Sequence, residues 1–396
     1  MVRIGAILLG TGLLGLGLMA GCSDNWNNPY PGSQADANVL YSAFSERPKH
    51  LDPARSYSAN EIEFTGQIYE PPLQYHFLKR PYTLVPLTAE AVPRPLYFDA
   101  AGKALPDDAP PAAIAESVYE IRIHPGIRYQ PHPAFARDAA GRYRYHALAA
   151  ADIAKNTRFQ DFEHSGTREL VAADYVYQIK RLANPRLSSP IFGLMSEHIV
   201  GLKALGETLE EASKADPDAA LKLDDFPLEG AEVVDHYTYR IRIKGKYPQF
   251  IYWLAMPFFA PVPWEAEAFY AQPGMADKNL TLDWQPVGTG AYYLAENDPN
   301  RRMVLKKNPH FHGEAYPAEG SEEDRRAGLL ADAGKPLPFV EEAVYSLEKE
   351  TIPYWSKFLQ GYYDSSGISS DSFDQAVQFT SGGDPQLTDS MREQDI

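Results

Sequence analysis

The chain holds one cysteine, Cys22, which closes an apolar run from Ile4 to Leu18 that opens on Met1-Val2-Arg3. A single thiol cannot form an internal disulfide. Placed after a short basic start, an apolar stretch and Ala20-Gly21, it suits export processing and acylation of its sulfur. Other reactive side chains are weakly organised. His310-Phe311-His312 sets two imidazoles at strand spacing, but no carboxylate or cysteine completes a metal set, so a surface loop is the reading. Glu341-Glu342 and Asp107-Asp108 are adjacent carboxylates that point apart on an extended segment. Gly288-Thr289-Gly290 lacks the downstream Lys-Ser/Thr of a phosphate loop and reads as a turn before a strand at Ala291 to Leu294. No Gly-x-Ser-x-Gly, His-Glu-x-x-His or Gly-x-Gly-x-x-Gly is present, and no nucleophile with an orienting base can be assembled. These features predict neither an enzyme nor a resident metal or cofactor.

The segment before Cys22 has two readings. About 18 apolar residues can just span a bilayer. Yet Ile4 to Gly21 contains six glycines, each unfavourable in a helix by about 1 kcal/mol relative to alanine. Ala20-Gly21-Cys22 resembles the lipobox of bacterial lipoproteins, so residues 1–22 are expected to be a cleaved signal with Cys22 as the lipidation site. Ser23 to Gln34 is polar and turn-rich, and residues 23–37 read as a flexible tether. A net charge of −16 argues against nucleic acid and against a basic grip on anionic lipid. Any membrane contact then falls to the lipid anchor. The 396 residues, 44% hydrophobic, are ample for a core and more than one domain.

The elements follow from periodicity. Val39 to Phe44 reads as a strand and Glu61 to Tyr69 as a helix. Ser117 to Ile123 and Tyr237 to Ile243 alternate cleanly and share Tyr-x-Ile-Arg-Ile. Ala172 to Leu182 is a helix stopped by Asn184-Pro185, with further helices at Ala204 to Asp216 and Ala266 to Tyr270. Strands and helices alternate without a regular βαβ rhythm, which predicts an α/β (mixed α+β) fold with helices packed on a mixed sheet. Aromatic rings crowd three segments, 69–77, 247–253 and 257–264. Core packing accounts for any one of them; together they also suit a large, partly open cleft.

In order along the chain, these segments resemble the family 5 extracellular solute-binding proteins, the peptide receptors of bacterial ABC importers. Leu51-Asp52-Pro53, Tyr69-Glu70-Pro71-Pro72-Leu73, Tyr82 to Glu90, the strand and turn Tyr119 to Tyr129, the helix Ala173 to Leu182, and Pro286-Val287-Gly288-Thr289-Gly290-Ala291-Tyr292 with Asn308-Pro309 carry it. The family's His-Asp-Gly is here Gln130-Pro131-His132-Pro133, and Val171 stands where the helix cap would be Ser or Thr.

The resemblance implies a periplasmic-binding-protein type II-like fold of two lobes, with the first lobe and only the start of the second present. The implied division is a first-lobe sheet domain at 38–71 and 171–312, an inserted smaller domain at 72–170 and the start of the second lobe at 339–380; composition reads 313–338 as a charged linker and the polar, aperiodic 381–396 as a disordered tail. The resemblance further implies an exported, lipid-anchored periplasmic monomer that binds peptide or another small solute and delivers it to an inner-membrane ABC permease. Tyr69, Glu70 and Tyr129 are the cleft candidates. A chain with an early stop in its second lobe is expected to bind weakly or not at all, because half the cleft would be missing. A secreted lipoprotein hydrolase and a non-functional truncated fragment are the alternatives.

Overall fold

The computed structural model describes residues 29–30, 37–156, 158–217, 219–394 and 396. Cys22, the signal segment and most of the expected tether lie outside them. Among the described residues no helix is long and apolar enough to cross a membrane. They divide into two compact units, one of Asn38–Lys349, the other of Glu350–Ile396 with the described residues before Asn38.

The larger unit begins with β1 (Val39–Phe44) and α1 (Ala59–Ile68), then β2 (Leu73–Tyr75), β3 (Leu84–Pro86), β4 (Leu96–Phe98), β5 (Ala104–Leu105) and β6 (Glu116–Arg122). Helices α2 (Ala150–Lys155), α3 (Ala172–Arg181), α4 (Phe192–His198) and α5 (Leu202–Ala215) precede β7 (Ala231–Asp235) and β8 (Thr238–Lys244). After α6 (Phe250–Trp253) and α7 (Trp264–Tyr270) come β9 (Tyr292–Asp298), β10 (Arg302–Lys307), β11 (Glu314–Ala315), α8 (Glu322–Arg326), β12 (Pro336–Leu337) and β13 (Glu342–Leu347).

Two sheets organise this unit. One has the order β1-β13-β10-β9; β1 runs parallel to β13 and the other pairs are antiparallel, as the mixed-sheet reading expects. The other is antiparallel, β5-β4-β6-β8-β7. The two Tyr-x-Ile-Arg-Ile segments are its centre: Tyr119 faces Ile241, Ile121 faces Tyr239, and all four are buried. Glu120 faces Arg240 on the opposite side and bonds it at 2.8 Å. Period-two alternation thus puts the apolar set inside and a cross-strand ion pair in water.

Helix α3 packs Tyr175 flat on Tyr239, ring centroids 4.9 Å apart. The valine at its cap position lacks a side-chain acceptor; instead the Asp174 carboxylate accepts the Val171 N–H at 3.1 Å, half of a capping box. Helix α1 is fixed by Glu61, whose buried carboxylate accepts the backbone N–H groups of Lys49, His50, Tyr57 and Ser58. Burial opposes that charge, but the four amides prevail and hold the carboxyl below its usual range.

Strands β4 and β6, from the stretch read as an inserted domain, share a sheet and a continuous core with β8 and α3. That stretch buries its apolar face against the rest of the unit. In the smaller unit, α9 (Thr351–Leu359) and α10 (Phe373–Ala376) are followed by a hairpin of β14 (Val377–Phe379) and β15 (Pro385–Leu387) and by α11 (Asp389–Glu393). The tail read as disordered is therefore folded back, with Met391 buried on Trp355 and Ala376. Met391 and the partly buried Ile396 supply the apolar contacts of this stretch, too sparse a signal for periodicity to register.

Candidate functional site

Tyr69 and Glu70 stand where α1 ends, and the Gly288-Thr289-Gly290 loop is threaded against that end. Gly290 N–H donates to the Ile68 carbonyl at 2.9 Å. Gln130 exchanges bonds with the same loop: its N–H donates to the Gly288 carbonyl, and its side chain accepts the Gly288 N–H at 3.1 Å. Asn308 donates its side-chain amide to the Gly290 carbonyl at 3.0 Å. The two glycines are needed because a Cβ at Gly288 would overlap the Ile68 carbonyl oxygen, and one at Gly290 would lie 2.5 Å from the Gln67 carbonyl oxygen. The loop is a backbone junction, and strand β9 follows it as read from sequence.

All three cleft candidates are buried. Tyr69 packs in the core beneath the mixed sheet, its hydroxyl beside the Val287 amide without an aligned hydrogen bond. Tyr129 lies in the core of the second sheet, its hydroxyl close to Asp174 and its ring 5.2 Å from the Arg168 guanidinium carbon. Glu70 is 4% exposed. Its Oε1 is 2.9 Å from His312 Nε2, while Oε2 is buried without a hydrogen-bond partner. Sequence spacing could not show this pair, because 242 positions separate its members. Burial disfavours the imidazolium, but the Glu70 carboxylate more than offsets it and holds His312 above its ordinary value. Glu314 is near both, and burial with the charge of Glu70 pushes its carboxyl up.

Behind this corner lie two buried ion networks that sequence reading missed. Arg181 is 1% exposed. It grips Asp52 through both terminal nitrogens at 2.9 and 2.6 Å, and its Nε reaches Glu267 at 2.7 Å. Burial opposes ionisation of Asp52, yet Arg181 keeps that carboxyl below its ordinary value. Arg168 makes bidentate contacts to Asp174, both 2.7 Å, and to Glu265 at 2.6 and 2.7 Å. His132, in the altered family motif, accepts Ala134 N–H on Nδ1 at 3.1 Å and lies 2.8 Å from the Tyr270 hydroxyl on Nε2. Burial depresses its pKa to about 3, so it stays neutral.

Among the described residues no group of three or more His, Cys, Asp or Glu could hold a metal. The aromatic segments split: Phe250, Phe258 and Phe259 are buried, whereas Tyr75, Phe77, Tyr252 and Trp264 are exposed. A groove of about 450 Å³ crosses β9 and β10 beneath Phe159 and Tyr293. Its charges are satisfied internally, Arg302 by Glu296 and Lys306 by Glu342.

Residues 153–345 match the family model described as Bacterial extracellular solute-binding proteins, family 5 Middle. The chain is 23% identical over 210 residues to the Periplasmic oligopeptide-binding protein OppA of Salmonella typhimurium, covering 52% of this chain and 33% of that protein. It superposes on the ABC transporter-associated periplasmic binding protein DppA of Helicobacter pylori, solved in complex with the peptide STSA, with a TM-score of 0.53 and 15% identity over 86% of this chain and 48% of that one. The corresponding values for the OppA of Burkholderia pseudomallei are 0.51 and 16%, over 86% and 49%. The fold is therefore of the type II periplasmic-binding class, and the chain spans about half the length of these structures.

Proposed function

We propose that this chain is a peptide receptor of an ABC import system, a reading supported by the match of residues 153–345 to the middle region of the family 5 bacterial extracellular solute-binding proteins. It captures a small solute outside the inner membrane and hands it to a permease, without turnover. The family match carries the reading, because the matched residues include α3, β7 to β10 and the Gly288-Thr289-Gly290 junction. The peptide named with the Helicobacter pylori relative supports the ligand class. Extended peptides are suited to such receptors, since backbone pairing supplies affinity while pockets tolerate varied side chains.

Among the three cleft candidates we assign Glu70 as the ligand-facing group, on its unpartnered carboxylate oxygen. Tyr69 and Tyr129 support the walls behind it. Titration calorimetry of the chain with a pool of tri- to pentapeptides should give saturable heat for at least one member, with a Kd of about 1 mM or tighter, equivalent to roughly −4 kcal/mol. Heat from no peptide would overturn the reading.

We also assign Cys22 as the acyl acceptor that holds the receptor at a membrane. Cells fed radiolabelled palmitate should label this chain, and Cys22→Ala should abolish the label. Label retained in the variant would remove the anchor from this account.

A further inference from the structure

Residues 309–342 contribute no buried residue, although they lie between the buried Asn308 and Ala343. Within them β11 pairs with β12, and the Tyr316 N–H to Lys335 carbonyl bond of 2.9 Å extends the pairing. Residues 314–337 thus form an arm with α8 at its tip. What attaches the arm is almost wholly polar, and it runs in order along one strip of chain. His312 meets Glu70 at 2.9 Å, Glu314 accepts from the Gln74 side-chain amide, and Glu319 meets Lys79 at 2.6 Å. Leu78 lies against Gly320, and Arg80 is within electrostatic reach of Asp324. The partners all come from Glu70 and the β2–β3 hairpin.

We infer that residues 312–337 are a hinged flap, latched by these polar contacts onto the β2–β3 hairpin, whose release uncovers the Glu70 carboxylate. The exposed Lys79–Glu319 pair contributes about 0–1 kcal/mol, and the arm has no core contacts, so the Glu70–His312 pair is the main hold on a segment that can open locally. His312 is the arm's direct contact with Glu70, and the unpartnered Oε2 of Glu70 then becomes available to a cationic group such as an ammonium. The latch stands whether or not the ligand is a peptide.

Its pH response has one sign. The charged and titratable groups around His312 are Glu70 and Glu314; those around Glu314 are Glu70 and His312, with Gln74 as hydrogen-bond donor. A raised imidazole pKa means the pair is intact below it and lost as pH rises through it. A raised carboxyl pKa means that Glu314 ionises beside Glu70 over a rising-pH range too. Both loosen the latch toward alkaline pH.

Hydrogen exchange of the full chain without ligand tests this. Corrected for intrinsic rates, amides of 314–337 should exchange faster at pH 8 than at pH 6. His312→Ala should speed them roughly five-fold or more at pH 6, because it leaves the buried Glu70 carboxylate unpaired, while β6 and β8 stay unchanged. Lys79→Ala/Arg80→Ala, at exposed positions, should act in the same direction and serves if His312→Ala loosens the whole fold. Arm exchange that ignores pH and is unaltered in the Lys79/Arg80 variant would overturn the inference. Failure of peptide binding with a working latch would count only against the receptor reading.

Discussion

Arg181→Ala should destabilise the larger unit by about 3–5 kcal/mol, the range for removing one partner of a buried ion pair. The side chain is 1% exposed, and its departure leaves the buried Asp52 without its two short bonds and Glu267 without its closest cation. The penalty comes from the charge left behind more than from the pair itself. Hence Arg181→Met/Asp52→Leu, which removes both charges of the tightest pair, should recover part of the loss. Urea unfolding of the two variants separates the cases. A single variant within about 1 kcal/mol of the parent would mean that water reaches Asp52. The pair joins the Leu51-Asp52-Pro53 turn to α3, so its loss should also loosen the segment leading into α1.

Gly288→Ala should be comparably severe, with a loss of about 3 kcal/mol or more, the upper end for overpacking. The added methyl would overlap a backbone carbonyl at the end of α1, and a carbonyl has no rotamer into which to retreat. Gly193→Ala is the informative contrast. It lies within α4 with open space at its Cβ position, and alanine there should be neutral or stabilise by up to about 1 kcal/mol. Thermal unfolding followed by circular dichroism measures both. Equal midpoints for the two variants would show that the junction can shift to admit a side chain.

These two sites mark the boundary between what could and could not be read along the chain. Periodicity located β6, β8 and α3 because burial of alternate or every third to fourth residue is written locally. The turn reading of Gly288-Thr289-Gly290 also held, since a missing Lys-Ser/Thr is a local fact. The reason those glycines are glycines is not local, because the obstructing carbonyl belongs to Ile68. Arg181 lies in the last turn of α3, and nothing in its sequence neighbours signals that Asp52 and Glu267 meet it in the interior. The Glu70–His312 contact is of the same kind. Ion pairs between distant segments leave no period, so a one-dimensional reading passes over them.

The pairing of β1 with β13 sets a clock. Val39 lies opposite Glu342 in the parallel register, so the first strand of the sheet and its neighbour are about 300 residues apart. At roughly 5–20 residues per second of synthesis, the first waits about 15–60 s for the second to exist. During that interval Val-Leu-Tyr-Ser-Ala-Phe is an apolar strand with an unclaimed edge, the kind of segment that seeks other chains. The interior of the unit can condense earlier, since β6, β8 and α3 are made within the first two-thirds of that wait. Closure of the mixed sheet is thus a late event in the birth of the molecule.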